Sequence, residues 1–141
     1  HDLPPAAGYL EYGHVKLREQ LGLLSGPVEE FQKSAEAEHN AMLSMLVDEG
    51  YLDASALEDE LANENEIIDA LYRGLKGSPC KLMAASIVDA VGEKRTQNQP
   101  GTSNEYPNWR IPLADGDGNV VPLEQLFDNT RLQEIAAIMR G

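Results

Sequence analysis

The sequence predicts a mainly α-helical chain, about the size of one domain at 141 residues. Apolar residues recur at three- and four-residue intervals over about 28–46 and 67–75, which is the spacing of an amphipathic helix. Three segments open with Ser, Asn or Thr followed three residues later by Glu or Gln, the pattern that caps helix N-termini. These observations predict helices as the dominant secondary structure.

The first part of the chain is expected to hold two helices after an irregular start. Residues 1–10 are apolar and rich in proline, which predicts a structured loop and not a helix. A helix is predicted over about 12–21, before a break that ends at Gly26. Pro27 suits the first position of the next helix, and Gly50 ends it.

Three capping motifs predict the remaining helices. S-x-x-E at 55–58 opens a short helix, and N-x-x-E at 63–66 opens a longer one that ends at the Gly-Ser-Pro stop signal of 77–79. T-x-x-Q at 130–133 begins a final helix over 130–140.

Two segments carry no helical pattern of their own. The continuous apolar run 82–88 fits a strand buried on both faces, and it fits a buried helix equally well. Residues 93–122 are polar and rich in turn residues, which predicts a loop region. Cys80 precedes the apolar run and has no visible activating partner, so a buried structural thiol is expected there.

The net charge of −13 is concentrated in one acidic helical region, 26–69, which has 13 acidic side chains and a single base, Lys33. A solvated helical face is the favoured interpretation, and a docking surface for a basic partner is the alternative. A strongly acidic chain binds phosphate backbones and anionic lipids poorly, so neither nucleic acid nor a membrane is an expected partner. No apolar run approaches the ~18 residues that a transmembrane helix needs.

Two motifs resemble metal sites, but neither is complete. Glu36-x-x-His39 has the spacing of a di-iron ligand pair, but such bundles need that motif twice, and His39 is expected at the surface or at an edge. The segment 115–119 matches the start of an EF-hand loop, but Val120 and Leu126 occupy the later positions that require Gly and Glu. The sequence therefore predicts no metal site.

Three segments together point to a family. Residues 1–9 read H-D-L-P-P-A-A-G-Y, residues 98–102 read N-Q-P-G-T, and residues 105–110 read E-Y-P-N-W-R. They resemble the T-H-D-x-P-x-x-G-[YF] segment and the N-x-P-G-T…E-Y-P-N-W-R signature of amylomaltases, the 4-α-glucanotransferases of glycoside hydrolase family 77. Residues 82–89 are similar to the last barrel strand of that family.

The resemblance implies a fold and an activity. The chain would be the C-terminal portion of a (β/α)8 barrel, with 82–88 as its last strand, surrounded by helices and incomplete as a barrel. The implied reaction transfers α-1,4-glucan segments between maltodextrins with retention of configuration, through double displacement and without a cofactor. The family's nucleophile and acid/base would lie upstream, so this chain alone is expected to be inactive.

The resemblance also implies site residues. Asp2 matches the family's third carboxylate, which stabilises the oxocarbenium-like sugar, and His1 matches the histidine that hydrogen-bonds the same sugar. Asn98 matches a residue that contacts the bound glucan. Trp109 and Arg110 match motif positions whose role is as well explained by structure as by substrate contact.

The chain has no initiator methionine and no signal segment, which we interpret as a piece of a longer protein, with a cytoplasmic location expected. Isolated from its neighbours, the run 82–88 has no sheet to join, so the fragment is expected to be helical and to self-associate through its exposed barrel-facing surface. The alternative function is a stand-alone acidic helical interaction module that binds a basic protein.

Overall fold

The computed structural model describes residues 3–140 and is mainly helical within them. One isolated antiparallel bridge, Ala114 to Val120, is the only β-pairing in that range, and no strand is present there. The helices in chain order are α1 Ala6–Leu10, α2 Gly13–Gln20, α3 Val28–Asp48, a 3₁₀ helix Ala54–Glu58, α4 Glu64–Gly77, α5 Ile87–Ala90, α6 Leu123–Leu126 and α7 Thr130–Arg140.

Helix α4 lies at the centre of the core and packs against α1, α3 and α7. Its apolar stripe buries Ile67 and Ile68 completely, and these meet Leu46 of α3 and Ile135 of α7. Burial of this apolar surface is the main favourable contribution to folding. The core therefore joins the start, the middle and the end of the chain in one cluster.

Polar contacts fix α7 against α4 at both ends. Arg131 donates to both carboxylate oxygens of Asp69, at 3.2 and 2.8 Å, and to the carbonyl oxygen of Asn65 at 3.2 Å. Lys76 donates to the carbonyl oxygen of Met139 at 2.9 Å, near the C-terminus of α7, where a cation is favoured. The two helices are thus held in one relative position.

The prediction of a loop over 1–10 is wrong, because Ala6–Leu10 is a helix. Pro5 precedes it with φ −56° and ψ 150°. The proline therefore stands just outside the first turn, where its missing N–H removes no helical hydrogen bond. The backbone N–H of Ala6 donates to Asp89 Oδ1 at 2.8 Å. This short helix is fixed by a distant side chain, which local sequence patterns do not reveal.

Two of the predicted caps are wrong by one or two residues. Asp53 caps the 3₁₀ helix, and its Oδ1 accepts from Ser55 N at 2.8 Å. Asn129 caps α7, and its Oδ1 accepts from Leu132 N at 2.8 Å. Asn63 stands at the predicted start of α4, but its side chain donates to a carbonyl of the preceding turn. At the 3₁₀ helix and at α7 a nearby Asp or Asn provides the acceptor in place of the predicted Ser or Thr, and α4 has no side-chain cap.

The apolar run is exposed in this structure. Residues 82–86 form neither helix nor strand, Leu82 is 94% exposed, and only Ile87–Ala90 is helical. Cys80 is exposed as well, so the expectation of a buried thiol is wrong, because the chain next to it is not covered. A barrel strand needs partners on both edges. The assignment of 82–88 to the last strand of a barrel stays a prediction.

Candidate functional site

A cleft of about 480 Å³ lies between the N-terminal segment and the loop region 93–122. One wall contains Pro4 from the N-terminal segment and His14 from α2. The facing wall contains Thr96, Gln99 and Tyr106. We call residues 1–9 the first motif block and residues 98–102 with 105–110 the second. Through Pro4 on one side and Gln99 and Tyr106 on the other, both blocks border one cavity.

Close backbone contact holds α1 against the loop region. A Cβ atom placed on Gly8 would lie 2.2 Å from the carbonyl oxygen of Lys94, which no side chain permits. The Lys94 ammonium also pairs with Glu11, and this hydrogen bond raises the pKa of Lys94 above its ordinary value. The glycine of the first motif block is thus required by packing against the chain that leads into the second block.

Asp89 links the same helix to the core. Its Oδ1 accepts from Ala6 N, and its Oδ2 accepts from the Tyr72 hydroxyl at 2.7 Å. The Tyr72 oxygen accepts in turn from Ser86 N at 3.0 Å. Burial first, and then the hydrogen bond to Asp89, raise the pKa of Tyr72, so this hydroxyl keeps its proton and donates it to the carboxylate.

The two halves of the second motif block are hydrogen-bonded to each other and to Thr96 just before them. The Tyr106 hydroxyl donates to Thr96 O at 2.7 Å, and Asn108 Oδ1 accepts from Gln99 N at 2.7 Å. Asn108 Nδ2 donates to the Thr102 hydroxyl at 2.8 Å. The loop has no helix or sheet to pair its backbone polar groups. These side-chain hydrogen bonds pair some of them instead, and they fix the conformation of the block.

Asn98 lies inside this bonded block. It is half-buried, and its carbonyl oxygen accepts from the Thr96 hydroxyl at 2.9 Å. The next residue is held by Asn108, and Gln97 before it accepts from Trp109 N at 2.8 Å. Trp109 has the left-handed φ of 59° and is 63% exposed. The backbone around Asn98 is therefore fixed on both sides.

A buried carboxylate supports the base of the loop region. Glu93 is 1% exposed and accepts from the Arg95 guanidinium at 2.8 and 2.7 Å and from Ala114 N at 3.0 Å. Burial alone would raise the pKa of Glu93, but the hydrogen bonds from Arg95 and Ala114 outweigh it and hold that pKa below its ordinary value. Glu93 is ionised at neutral pH and joins the start of the loop region, at Arg95, to Ala114 near its end.

Aromatic and histidine rings cluster around Tyr9, and one of them, His14, lines the cleft. His14 stacks on Tyr9 with ring centroids 5.2 Å apart, and burial lowers the pKa of His14 below its ordinary value. His39 is 1% exposed, and its Nε2 lies 2.6 Å from the Glu60 carboxylate. The prediction of a surface or edge histidine at 39 is therefore wrong: the ring is buried, and the partly exposed Glu60 provides a polar partner for its Nε2. Within residues 3–140, no three potential ligand side chains converge on a metal site.

The predicted site residues have different outcomes in the structure. His1 and Asp2 lie outside the described residues, and Asn98 lies in the bonded loop beside the cleft. Sequence reasoning missed the roles of Asp89, Tyr72 and Glu93. Asp89 follows the apolar run directly, which was the one available signal for it, whereas nothing in the sequence marks Glu93 as buried.

Comparison with known proteins agrees with the motif blocks. The model of glycoside hydrolase family 77, described as 4-alpha-glucanotransferase, matches residues 1–117. The chain is 47% identical over 141 residues to a 4-alpha-glucanotransferase of Mycobacterium tuberculosis, covering 100% of this chain and 19% of that protein. It is 28% identical over 136 residues to the enzyme of the same name from Haemophilus influenzae, covering 94% of this chain and 19% of that protein.

A solved structure is similar along nearly the whole chain. The crystal structure of amylomaltase from Corynebacterium glutamicum superimposes with a TM-score of 0.86 at 37% identity, and the match covers 99% of this chain and 20% of that one. The chain therefore belongs to glycoside hydrolase family 77, the 4-alpha-glucanotransferases. It spans about a fifth of the length of the relatives that it matches.

No helix among residues 3–140 has the length and apolar content needed to cross a membrane. The alternative of a stand-alone acidic interaction module gains no support from these matches, since they extend over the acidic region 26–69 as well.

Proposed function

We propose that this chain is part of a 4-α-glucanotransferase that moves α-1,4-glucan segments from one maltodextrin to another. The observation that supports this function best is the cleft bordered by Pro4 on one side and by Gln99 and Tyr106 on the other. It brings together the two blocks that resemble the family's sugar-binding motifs. Donor and acceptor would both be maltodextrins, and no cofactor takes part.

In this proposal Asp2 is the third carboxylate of a retaining double displacement. The sugar passes through an oxocarbenium-like state, which a nearby negative charge stabilises more than the ground state. His1 would hydrogen-bond the same sugar, and Asn98 would contact the bound glucan from the loop facing Pro4. Hydrogen bonds that strengthen in the transition state contribute several kcal/mol to such reactions.

The nucleophile and the general acid/base would be supplied by chain outside these 141 residues. In the complete protein, 82–88 would be the last strand of a (β/α)8 barrel, and its exposed apolar side chains would be covered there. On its own, the chain would be inactive and would self-associate through apolar residues such as Leu82 and Phe127, which are 94% and 76% exposed. A cytoplasmic location completes the proposal.

The test uses maltotriose with the complete protein and with this chain alone. We expect glucose and longer maltodextrins from the complete protein only. Transfer products from the chain alone would contradict the placement of the essential groups upstream.

A substitution tests the role of Asp2. Asp2→Asn in the complete protein should lower kcat by about 100-fold or more, because charge stabilisation of the sugar is lost. The matched control is Asp48→Asn, which makes the same change at an exposed position at the end of α3. Full activity in Asp2→Asn would remove that residue from the site.

A further inference from the structure

The start of α1 is fixed by a side chain that is 83 residues away in the chain. Asp89 Oδ1 accepts the N–H of Ala6 at 2.8 Å, and the residue at the cap position, Pro5, provides no side-chain cap. The first N–H groups of a helix have no partner inside the helix. Asp89 therefore provides the hydrogen-bond acceptor for the N-terminus of α1 that the neighbouring residues do not provide.

Asp89 itself is tied to the core. Its second oxygen accepts from the hydroxyl of Tyr72, a residue of α4 that is 7% exposed. That hydroxyl oxygen also accepts the N–H of Ser86, which lies directly before α5. An unbroken set of hydrogen bonds thus connects the central helix to the first residue of α1.

Two prolines, Pro4 and Pro5, stand directly before Ala6. Proline fixes its own φ near −65°, so this segment has few conformations available. Pro5 has φ −56°, and Pro4 lines the cleft. A shift at Ala6 is therefore passed on to Pro4 at the edge of the cleft.

We infer that Asp89 is a positioning residue, which sets where the start of α1 and the cleft-lining Pro4 stand relative to the loop that contains Asn98. This inference rests on the proposed function, and it adds a residue that touches no substrate. Its role differs from plain stabilisation, because catalysis depends on geometry to within about 1 Å, and an error of that size can cost about 100-fold in rate.

The variants use the difference between a carboxylate, which has two acceptor oxygens, and an amide, which has one acceptor oxygen and one donor NH₂ group. In Asp89→Asn, an amide oxygen facing Ala6 places the NH₂ group against the Tyr72 hydroxyl, which then has no acceptor for its own proton. The opposite orientation places the NH₂ group against Ala6 N–H. When Tyr72→Phe is added, the amide oxygen is free to face Ala6.

The experiment measures kcat and KM on maltotriose, together with Tm, in the complete protein. Asp89→Asn should lower kcat by about 10- to 100-fold and change KM by less than about threefold. The double variant Asp89→Asn/Tyr72→Phe should regain kcat to within about threefold of Tyr72→Phe alone. Hydrogen exchange of residues 3–10 should become faster in Asp89→Asn and return towards the wild-type rate in the double variant.

Arg131→Gln is the control for stability, because it breaks the Asp69 contact between α7 and α4 away from the cleft. It should lower Tm with kcat unchanged. The inference is overturned if Asp89→Asn keeps wild-type kcat, if Arg131→Gln loses as much kcat, or if the double variant is no better than Asp89→Asn. Failure of the proposed function has a different signature, since Asp2→Asn would then keep full activity whatever Asp89→Asn does.

Discussion

The α-carbon of Gly8 faces the carbonyl oxygen of Lys94 so closely that an added Cβ would lie 2.2 Å from that oxygen. The contact joins α1 to the first residues of the loop region. Because the obstacle is backbone and not the tip of a flexible side chain, neither partner can yield without moving its whole segment.

Gly8→Ala should therefore lower the free energy of unfolding by about 1–3 kcal/mol. Urea denaturation of the chain measures this loss. Gly74→Ala in α4 is the matched control, because its nearest contacts would be 3.6 Å away and alanine favours a helix by about 1 kcal/mol over glycine. Opposite signs for the two variants are expected, and equal losses would argue against the packing account.

Glu93→Gln should destabilise the chain by about 2 kcal/mol, since an amide cannot accept all the hydrogen bonds that Arg95 and Ala114 donate to this buried carboxylate. The pKa of Glu93 is held below its unfolded value of 4.5, so its contribution is present above that value and is lost as pH falls through the lower folded pKa. Thermal unfolding between about pH 6 and about pH 3 should show a smaller loss for the variant than for wild type. An identical pH dependence in both proteins would contradict this prediction.

His14 gives a pH dependence in a different window. Burial lowers the pKa of His14 below 6.5, so the unfolded chain binds a proton more readily than the folded chain does. Stability is therefore expected to fall as pH drops through 6.5 towards the lowered value. His14→Asn should reduce this slope, as measured by denaturation midpoints between about pH 7.5 and about pH 5.5. A variant with the wild-type slope would assign the effect to another group.

Trp109 has a φ of 59°, which side chains with a Cβ adopt at a cost. Trp109→Gly and Trp109→Ala both remove the indole ring. Only glycine adopts a positive φ without steric strain. The glycine variant should be more stable than the alanine variant by about 1 kcal/mol, as measured by the urea midpoint. Greater stability in the alanine variant would mean that the backbone relaxes when the ring is removed.

Helix boundaries that depend on local chemistry could be predicted from the sequence. Pro27 and Gly50 flank α3, which spans Val28–Asp48, and the apolar stripe of α4 provides the buried pair Ile67 and Ile68. These features depend on backbone restrictions and on spacing within one segment, so the sequence alone contains them.

Features that depend on distant partners could not be predicted. Helix α1 needs Asp89, and the burial of His39 needs Glu60, which is 21 residues away. The site was predictable only in part. The motif blocks identified two segments that border one cleft. That they meet follows from how α1 packs beside Lys94, which no local pattern encodes.

The family model matches only as far as residue 117, although the relatives match beyond it, and Ile135 of α7 is 1% exposed in the common core. A chimera or truncation made at residue 117 would lose the α7 side of the hydrophobic cluster. It would also lose the ion pair between Arg131 and Asp69 of α4. A chimera joined before residue 118 would therefore need a replacement for α7 from its new host. A junction placed at residue 117 would therefore cut through the hydrophobic core.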